Sequence, residues 1–339
     1  MIKKVLQNIL EGKNLSFKEA TNTANLLMNG KINNSQIAAL LTALKYKEET
    51  PEEIAGFAMA MRNNGIKISC NIHNTIDVCG TGGDNSNSFN ISTAVAFAVA
   101  GAGVNVAKHG NRSITSKSGS SDVLSELGVN IDLTPNESEE ALKKIGVAFL
   151  FAPIYHPAMK YAAPVRLELG FKTIFNILGP LTNPADVTKQ MIGVFNEKTA
   201  YKMAEAANLL GMERVAFICT NDRYDEITLT DSTKVIELNN SEISTQTITA
   251  STFGYDTIEL SEIEGGTPFD NAQIILDLFS SGARTTHFNV VAANTALALY
   301  ISGKYSSLKL AQEAAEDSLL SGKALNKLNE LIEFGKNHE

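Results

Sequence analysis

Apolar side chains recur at helical spacing in the first part of the chain. One predicted helix face carries Ile37, Leu40, Leu41 and Leu44. Two capping boxes, Ser16-Phe17-Lys18-Glu19 and Thr50-Pro51-Glu52-Glu53, predict helix starts, and Gly30 and Asn64-Gly65 predict helix ends. We therefore expect residues 1–66 to form a small all-helical unit.

From residue 75 the pattern changes to short apolar strands that alternate with helices. Candidate strands cover residues 76–79, 104–107, 147–151, 191–195 and 215–219. A helix is predicted to open near residues 90–93, and another at Thr134-Pro135-Asn136-Glu137. Such alternation is typical of a parallel sheet, whose ligands bind beyond the carboxyl ends of the strands.

Later segments depart from this alternation. Residues 156–183 are predicted to be helical and to return to the N-terminal unit, whereas residues 226–249 favour antiparallel strands. From residue 270 the chain is predicted to be mostly helical. We therefore predict an α/β fold with two domains. Residues 1–70, joined by 164–186, form the small helical domain, and residues 71–163 and 187–339 form a large domain with a mainly parallel sheet.

Composition narrows the function classes. The 339 residues are 44% hydrophobic and carry a net charge of −8, which disfavours a nonspecific nucleic-acid or membrane binder. The three cysteines include no CxxC pair, so neither a disulfide framework nor a thiolate zinc site is indicated, and we expect a reducing, cytoplasmic location. The N-terminus lacks the apolar run of a signal peptide, and the longest apolar run, residues 94–104, is too short to span a membrane.

The sequence GTGGD at residues 80–84 follows a predicted strand. Glycines give phosphate oxygens access to backbone N–H groups, although a plain tight turn is nearly as good an explanation. The motif is neither a Walker A sequence nor GxGxxG. Downstream, residues 90–93 (NIST) offer hydroxyls for phosphate or magnesium, but taken alone they favour a simple helix cap.

The sequence KHGNR at residues 108–112 is rich in positive or potentially positive charge. No acidic side chain occurs between Asp84 and Asp122, and serine and threonine hydroxyls are frequent after Arg112. A solvated loop is the alternative. Arginine and lysine are strong phosphate ligands, so we favour an anion site.

Three further features are ambiguous from the residues alone. Adjacent acids Asp225 and Glu226, after a predicted strand, suit magnesium, although solvated loop acids are commoner. Arg166 lies among small apolar residues and could either extend to water or hold a carboxylate. The roles of His156 and Met159 are equally ambiguous.

Taken together, these motifs resemble the anthranilate phosphoribosyltransferase family of tryptophan biosynthesis. The matching sequences, in order, are GTGGD at 80–84, FNIST at 89–93, KHGNR at 108–112, SKSGSSD at 116–122, FAPIYHPAMK at 151–160, APVRLELG at 163–170, TIFNILGPLTNPA at 173–185 and YDEITLT at 224–230. The resemblance implies the nucleoside phosphorylase and phosphoribosyltransferase type of fold and a homodimer formed through the helical domains. It also implies Mg²⁺-dependent transfer of phosphoribose from 5-phosphoribosyl-1-pyrophosphate (PRPP) to the amine of anthranilate, through an oxocarbenium-like transition state.

The resemblance also assigns residues to roles. PRPP would be held by Gly80, Gly83, Asp84, Ser88, Asn90, Ile91, Ser92, Thr93, Lys108, His109, Gly110, Asn111, Arg112, Ser113, Ile114, Thr115, Ser116 and Ser120. Anthranilate would be contacted by Gly80, Asn111, Arg166, His156 and Gly179. Magnesium would bind Ser92, Asp225 and Glu226, and the catalytic group would be Lys108, His109 and Arg112.

Three positions depart from the family pattern. Ser88 replaces the usual threonine, Asn85 replaces a frequent glycine, and Leu167 stands where a second basic residue is common. Two rivals are a pyrimidine nucleoside phosphorylase and a non-catalytic nucleic-acid-binding relative; the intact motifs and the negative charge argue against both. We expect no fused glutamine amidotransferase.

Overall fold

The computed structural model describes residues 1–69, 74–84, 86–112 and 118–338. Five positions named above lie outside the described residues: Asn85, Ser113, Ile114, Thr115 and Ser116. The chain begins with four helices, α1 (Ile2–Leu10), α2 (Phe17–Met28), α3 (Asn34–Lys47) and α4 (Pro51–Asn64). Both predicted capping boxes are confirmed at the starts of α2 and α4.

A sheet follows whose strands, in chain order, are β1 (Thr75–Gly80), β2 (Asn105–Gly110), β3 (Val147–Phe151), β4 (Lys189–Gly193), β5 (Arg214–Thr220), β6 (Thr233–Asn239) and β7 (Glu242–Ile248). Their spatial order is β3-β2-β1-β4-β5-β6-β7. The pairs from β3 to β5 are parallel, and β6 and β7 are antiparallel additions. The predicted mainly parallel sheet is confirmed. Because β1 leads to β2 on one side and β4 lies on the other, the strand order reverses at β1, where open sheets bind ligands.

The remaining helices are α5 (Ile91–Gly101), α6 (Ser120–Glu126), α7 (Pro135–Ile145), α8 (Ala152–Tyr155), α9 (Ala163–Leu169), α10 (Phe175–Leu178), α11 (Glu197–Leu209), α12 (Pro268–Ser281), α13 (Thr286–Ile301), α14 (Leu308–Leu320) and α15 (Lys323–Lys336). Helix α5 is apolar on every side, and nearly all of its residues are buried. It packs against α13, α15 and strands β1 and β2, as expected for a central core helix. No helix of the described residues is long and apolar enough to cross a bilayer.

Two hydrophobic clusters form the interior. One surrounds α5 and α13 on one face of the sheet. The other joins α1–α4 to the opposite face of β4–β6, and it includes Val165, Phe175 and Leu178 from the predicted connecting segment. These contacts are consistent with a return of residues 164–186 to the helical unit, whereas the exact domain boundaries stay a prediction.

Two expectations about local structure were wrong. Lys108 and His109 do not lie in a loop, because β2 continues to Gly110 and pairs in parallel with Phe149 and Leu150 of β3. The antiparallel region begins at Thr233 rather than at residue 226. Residues 226–232 instead form a loop beside the carboxyl end of β5, which keeps Asp225 and Glu226 at that edge of the sheet.

Candidate active site

A cavity of about 720 Å³ lies at the carboxyl ends of the central strands. Most of the predicted site residues line it: Gly80, Gly83, Asp84, Ser88, Asn90, Ile91, Ser92, Lys108, His109, Gly110, Asn111, Arg112, Ser120, His156, Arg166, Gly179, Asp225 and Glu226. Thr93 does not line it, because its side chain is fully buried against the core. The cavity therefore joins motifs that are far apart in sequence.

The glycine loop after β1 is shaped by its backbone. Gly82 and Gly83 adopt φ values of 65° and 73°, a region that L side chains enter only under strain. The Gly82 N–H donates to Asp225 Oδ2 at 2.8 Å, and a Cβ on Gly80 would lie 2.5 Å from the same oxygen. Glycine at position 80 therefore makes room for the Asp225 carboxylate.

Three carboxylates meet beside this loop. Burial, and then repulsion from Asp84, raises the pKa of Asp225 to about 7. Burial and repulsion from Asp225 raise the pKa of Glu226 as well. Asp84, which the family resemblance assigns to PRPP, accepts at Oδ2 from the Asp225 N–H at 3.5 Å. No three His, Cys, Asp or Glu side chains in the described part of the chain form a ready-made metal cage.

The two cations of KHGNR lie in different surroundings. Lys108 is buried, and its Nζ donates to the Val78 carbonyl at 2.8 Å and to Ser92 Oγ at 3.2 Å. Burial lowers its pKa, while Asp77 opposes that shift. Arg112 is exposed and pairs with Asp122 at 3.4 Å. The sequence places two cations at the end of β2. It does not reveal that Lys108 lies beneath the start of α5 while Arg112 lies at the surface.

Two histidines face each other in the cavity with ring centroids 5.1 Å apart. His109 donates from Nδ1 to the Gly179 carbonyl at 3.2 Å, and the Nε2 atoms of both rings are buried with no partner among the described residues. Burial lowers the pKa of His109 to about 3 and that of His156 to about 4. His109, which the sequence offers only as a potentially positive group, is therefore uncharged at neutral pH, and so is His156.

The structure places two further residues whose roles the sequence left open. Arg166 of α9 is half-buried and faces the cavity, with its Cζ 5.4 Å from the centroid of the Phe175 ring and no carboxylate of the described residues paired to it. Asn90 precedes α5, but its side chain does not cap the helix; Oδ1 instead accepts from Asn271 at 2.9 Å. The simple-cap interpretation of Asn90 is therefore wrong.

Comparison with known proteins places the chain in a family. The helical bundle domain of a glycosyl transferase family matches residues 3–65, and the a/b domain of that family matches residues 72–325. The anthranilate phosphoribosyltransferase of Acetivibrio thermocellus is 47% identical over 98% of this chain and 96% of its own length. The chain belongs to the anthranilate phosphoribosyltransferase family.

Solved structures of anthranilate phosphoribosyltransferases share the fold. The Thermus thermophilus enzyme superposes with a TM-score of 0.92 at 36% identity, covering 98% of this chain and 99% of that one. The Saccharomyces cerevisiae enzyme in complex with PRPP and Mg gives a TM-score of 0.91 at 26% identity, covering 99% and 98%. The same yeast enzyme has been solved in complex with 4-fluoroanthranilate. The predicted fold class and family are thus confirmed.

Sequence reasoning missed a buried polar network beneath this anthranilate phosphoribosyltransferase site. Asp77 of β1 is fully buried and accepts from the His109 N–H, Asn183 Nδ2 and Gln190 Nε2 at 3.2, 2.8 and 3.1 Å. Gln190 also donates to the Pro180 carbonyl at 2.8 Å. The network ties β1, β2 and β4 to the turn that carries Gly179. The sequence feature that could have revealed the network is Asp77, a single acid inside an apolar predicted strand.

Proposed function

We propose that the chain transfers the phosphoribosyl group of PRPP to the amine of anthranilate, giving N-(5-phosphoribosyl)anthranilate and pyrophosphate, the second step from chorismate in tryptophan biosynthesis. One observation carries the proposal. A single cavity has a glycine loop and carboxylates at one end, and a half-buried arginine beside two neutral histidines at the other. These two ends have the chemistry that a phosphorylated donor and an aromatic acid require.

At the donor end, backbone amides and Arg112 would bind phosphate oxygens. The start of α5 adds the partial positive charge of a helix N-terminus, and Ser92 presents a hydroxyl there. Arg112 lies at the surface, where its guanidinium can exchange Asp122 for a phosphate. The roles of residues 113–116 rest on the family resemblance alone.

The carboxylate cluster fits Mg²⁺. The raised pKa values of Asp225 and Glu226 show that ionising both buried carboxylates is unfavourable, because the two charges repel each other. A bound cation would stabilise both carboxylates as anions. Glu226 also accepts a hydrogen bond from the Ser92 backbone, so the proposed ligands Ser92, Asp225 and Glu226 are neighbours. Mg²⁺ commonly uses one or two carboxylates together with substrate phosphates, and when bound it would neutralise charge on departing pyrophosphate.

At the acceptor end, Arg166 would hold the carboxylate of anthranilate, with Asn111 and Gly179 beside it. The aromatic amine has a free lone pair at neutral pH, so it needs no strong base before attack. As its nitrogen bonds to C1 of the ribose, the C1–O bond breaks and pyrophosphate leaves with the electron pair. Once the new C–N bond forms, the nitrogen is acidic, and its proton can pass to the departing pyrophosphate or to water.

The test is the loss of anthranilate fluorescence when purified protein is mixed with PRPP and Mg²⁺, with and without EDTA. Loss that requires PRPP and is abolished by EDTA supports the donor, the acceptor and the metal together. If folded protein produces no loss, calorimetric titration with PRPP distinguishes a wrong acceptor from a protein that does not bind PRPP.

We further propose that the enzyme works in the cytoplasm as a homodimer joined through its helical units. Large apolar side chains exposed on α1 and at the end of α3 support the dimer, since Leu10 is 76% and Tyr46 is 92% exposed. Sedimentation velocity would give the mass in solution. A monomer at micromolar concentration would contradict the dimer.

A further inference from the structure

A lysine outside every motif reaches the glycine loop. Lys172 lies in the turn between α9 and α10, and its Nζ donates to the Gly83 carbonyl at 2.6 Å. The same ammonium group lies 4.1 Å from the centroid of the Phe195 ring, within the range of a favourable cation–π contact. Two independent contacts therefore fix the position of this charge.

Lys172 interacts electrostatically with the carboxylates at the donor end of the cavity. Asp84 and Asp225 both attract its ammonium group, although burial lowers its pKa. A cation beside two carboxylates that repel each other reduces the cost of holding both as anions. Lys172 is thus part of the charge balance around the glycine loop, although it does not line the cavity.

The hydrogen bond to Gly83 has a directional consequence. In a planar trans peptide, the C=O of residue 83 and the N–H of residue 84 point in opposite directions. When Lys172 holds the Gly83 carbonyl, it turns the Asp84 N–H away from itself. Gly83, at φ 73°, has the conformational freedom of glycine, so the Gly83–Asp84 peptide could adopt other orientations. The hydrogen bond from Lys172 excludes them.

Among the described residues, the other hydrogen bonds of the loop hold the Asp84 side chain or neighbouring peptides rather than the Gly83 carbonyl. Gly82 N–H is held by Asp225, which is also a proposed metal ligand and so would exchange that bond on substrate binding. Thr81 N–H donates to the Gly193 carbonyl at 2.9 Å, but it lies two residues earlier. The contact from Lys172 is made from outside the cavity and can persist while phosphate is bound.

We propose that Lys172 is a positioning residue, which holds the Gly83–Asp84 peptide in the orientation that binds the pyrophosphate of PRPP. The role rests on the proposed function for the identity of the donor. The turn that carries Lys172 is itself fixed, since Thr173 N–H donates to Asn176 Oδ1 at 3.0 Å. The lysine is therefore anchored on the acceptor side of the cavity and acts on the donor side.

The test compares Lys172→Met, Lys172→Arg and the control Lys202→Met. Lys202 is a half-buried lysine of α11 that pairs with Glu48 at 3.5 Å and has no part in the cavity. Losing a charged hydrogen bond is worth about a tenfold change in binding, so K172M should raise the KM for PRPP about tenfold. The KM for anthranilate should stay near the wild-type value, and K172R should restore most of the PRPP affinity.

Amide hydrogen exchange gives a readout that does not need turnover. Peptides covering residues 80–84 should exchange faster in K172M than in wild type, and K202M should match wild type. An unchanged KM for PRPP together with unchanged exchange would overturn the proposal, as would a K172M protein that only melts earlier. If the wild-type protein does not consume anthranilate, the proposed function fails, whereas the exchange comparison still decides whether Lys172 orders the loop.

Discussion

Asp225 and Gly82, which are far apart in sequence, are joined by a hydrogen bond of 2.8 Å from the glycine N–H to the carboxylate. The carboxylate thus occupies one of the backbone amides that a phosphate oxygen would otherwise use. If PRPP and Mg²⁺ bind here as proposed, this oxygen would leave the amide and turn to the cation. The proposed function therefore gives Asp225 two roles, holding the glycine loop and binding the metal.

Asp225→Asn tests that double role. Asparagine keeps an oxygen that can accept from Gly82 but removes the charge that attracts Mg²⁺. We expect the Mg²⁺ concentration for half-maximal activity to rise at least about tenfold, since even outer-shell partners of metal ligands have effects of that size. The measurement is activity at saturating PRPP over a range of Mg²⁺ concentrations.

The matched control is Asp231→Asn, an exposed acid whose carboxylate accepts from the Ser232 N–H at 2.6 Å. It should change the Mg²⁺ requirement by less than about twofold, as surface substitutions usually do. Equal Mg²⁺ dependence in the wild-type and D225N proteins would remove Asp225 from the metal site.

Gly193→Ala should displace the acidic loop. An added Cβ at the end of β4 would lie 1.6 Å from the Asp225 carbonyl oxygen, so the backbone must move. We expect a loss of about 1–3 kcal/mol in the free energy of unfolding and a large fall in kcat. Urea unfolding and initial rates provide both values.

Gly179→Ala is the comparison for G193A. Position 179 has no atom within 4 Å of an added Cβ and a φ of −46°, so its unfolding curve should match that of wild type. Any change in G179A should appear only in the KM for anthranilate. A G193A protein with wild-type stability and activity would contradict the close packing of Asp225.

Arg112→Ala and Arg166→Ala should affect different substrates. Each arginine lines the cavity, but Arg112 follows the end of β2 and pairs with Asp122, whereas Arg166 of α9 lies over the Phe175 ring of α10. We expect R112A to raise the KM for PRPP and R166A to raise the KM for anthranilate, each by at least about tenfold. Steady-state kinetics with each substrate varied in turn would separate them, and equal effects of both variants on both substrates would refute the assignment.

Local signals in the sequence were enough for much of the fold. Capping boxes located the starts of α2 and α4, and an unbroken apolar run gave β3 with its observed bounds, because these features depend on neighbouring residues. The family motifs then brought together the residues of one cavity. The domain boundaries and individual site roles remain predictions.

Long-range contacts explain what was missed. Lys108 and His109 looked like loop residues because they are polar, yet inside the sheet Lys108 Nζ donates to the Val78 carbonyl and the His109 backbone N–H donates to Asp77. Lys172 carried no motif, and its partner Gly83 is 89 residues away. The low pKa of His109 likewise comes from burial, which no local pattern reports.

The two buried histidines should make stability fall in mild acid. An exposed histidine in the unfolded chain has a pKa near 6.5, whereas the folded values are about 3 for His109 and about 4 for His156. The unfolded state therefore binds protons first as the pH falls. The stability present above about pH 6.5 is lost towards pH 4 and 3, at up to about 1.4 kcal/mol per pH unit for each histidine.

The double variant His109→Asn, His156→Asn isolates this effect. Asp225 and Glu226 act in the opposite direction, because their raised pKa values let the folded state take up protons first. These acids are present in both proteins, so their contribution cancels when the two are compared. Urea unfolding at pH 7, 6 and 5 should show a steeper loss of stability in wild type than in the variant. Parallel curves would mean that the two rings are already protonated, or solvated, in the folded enzyme.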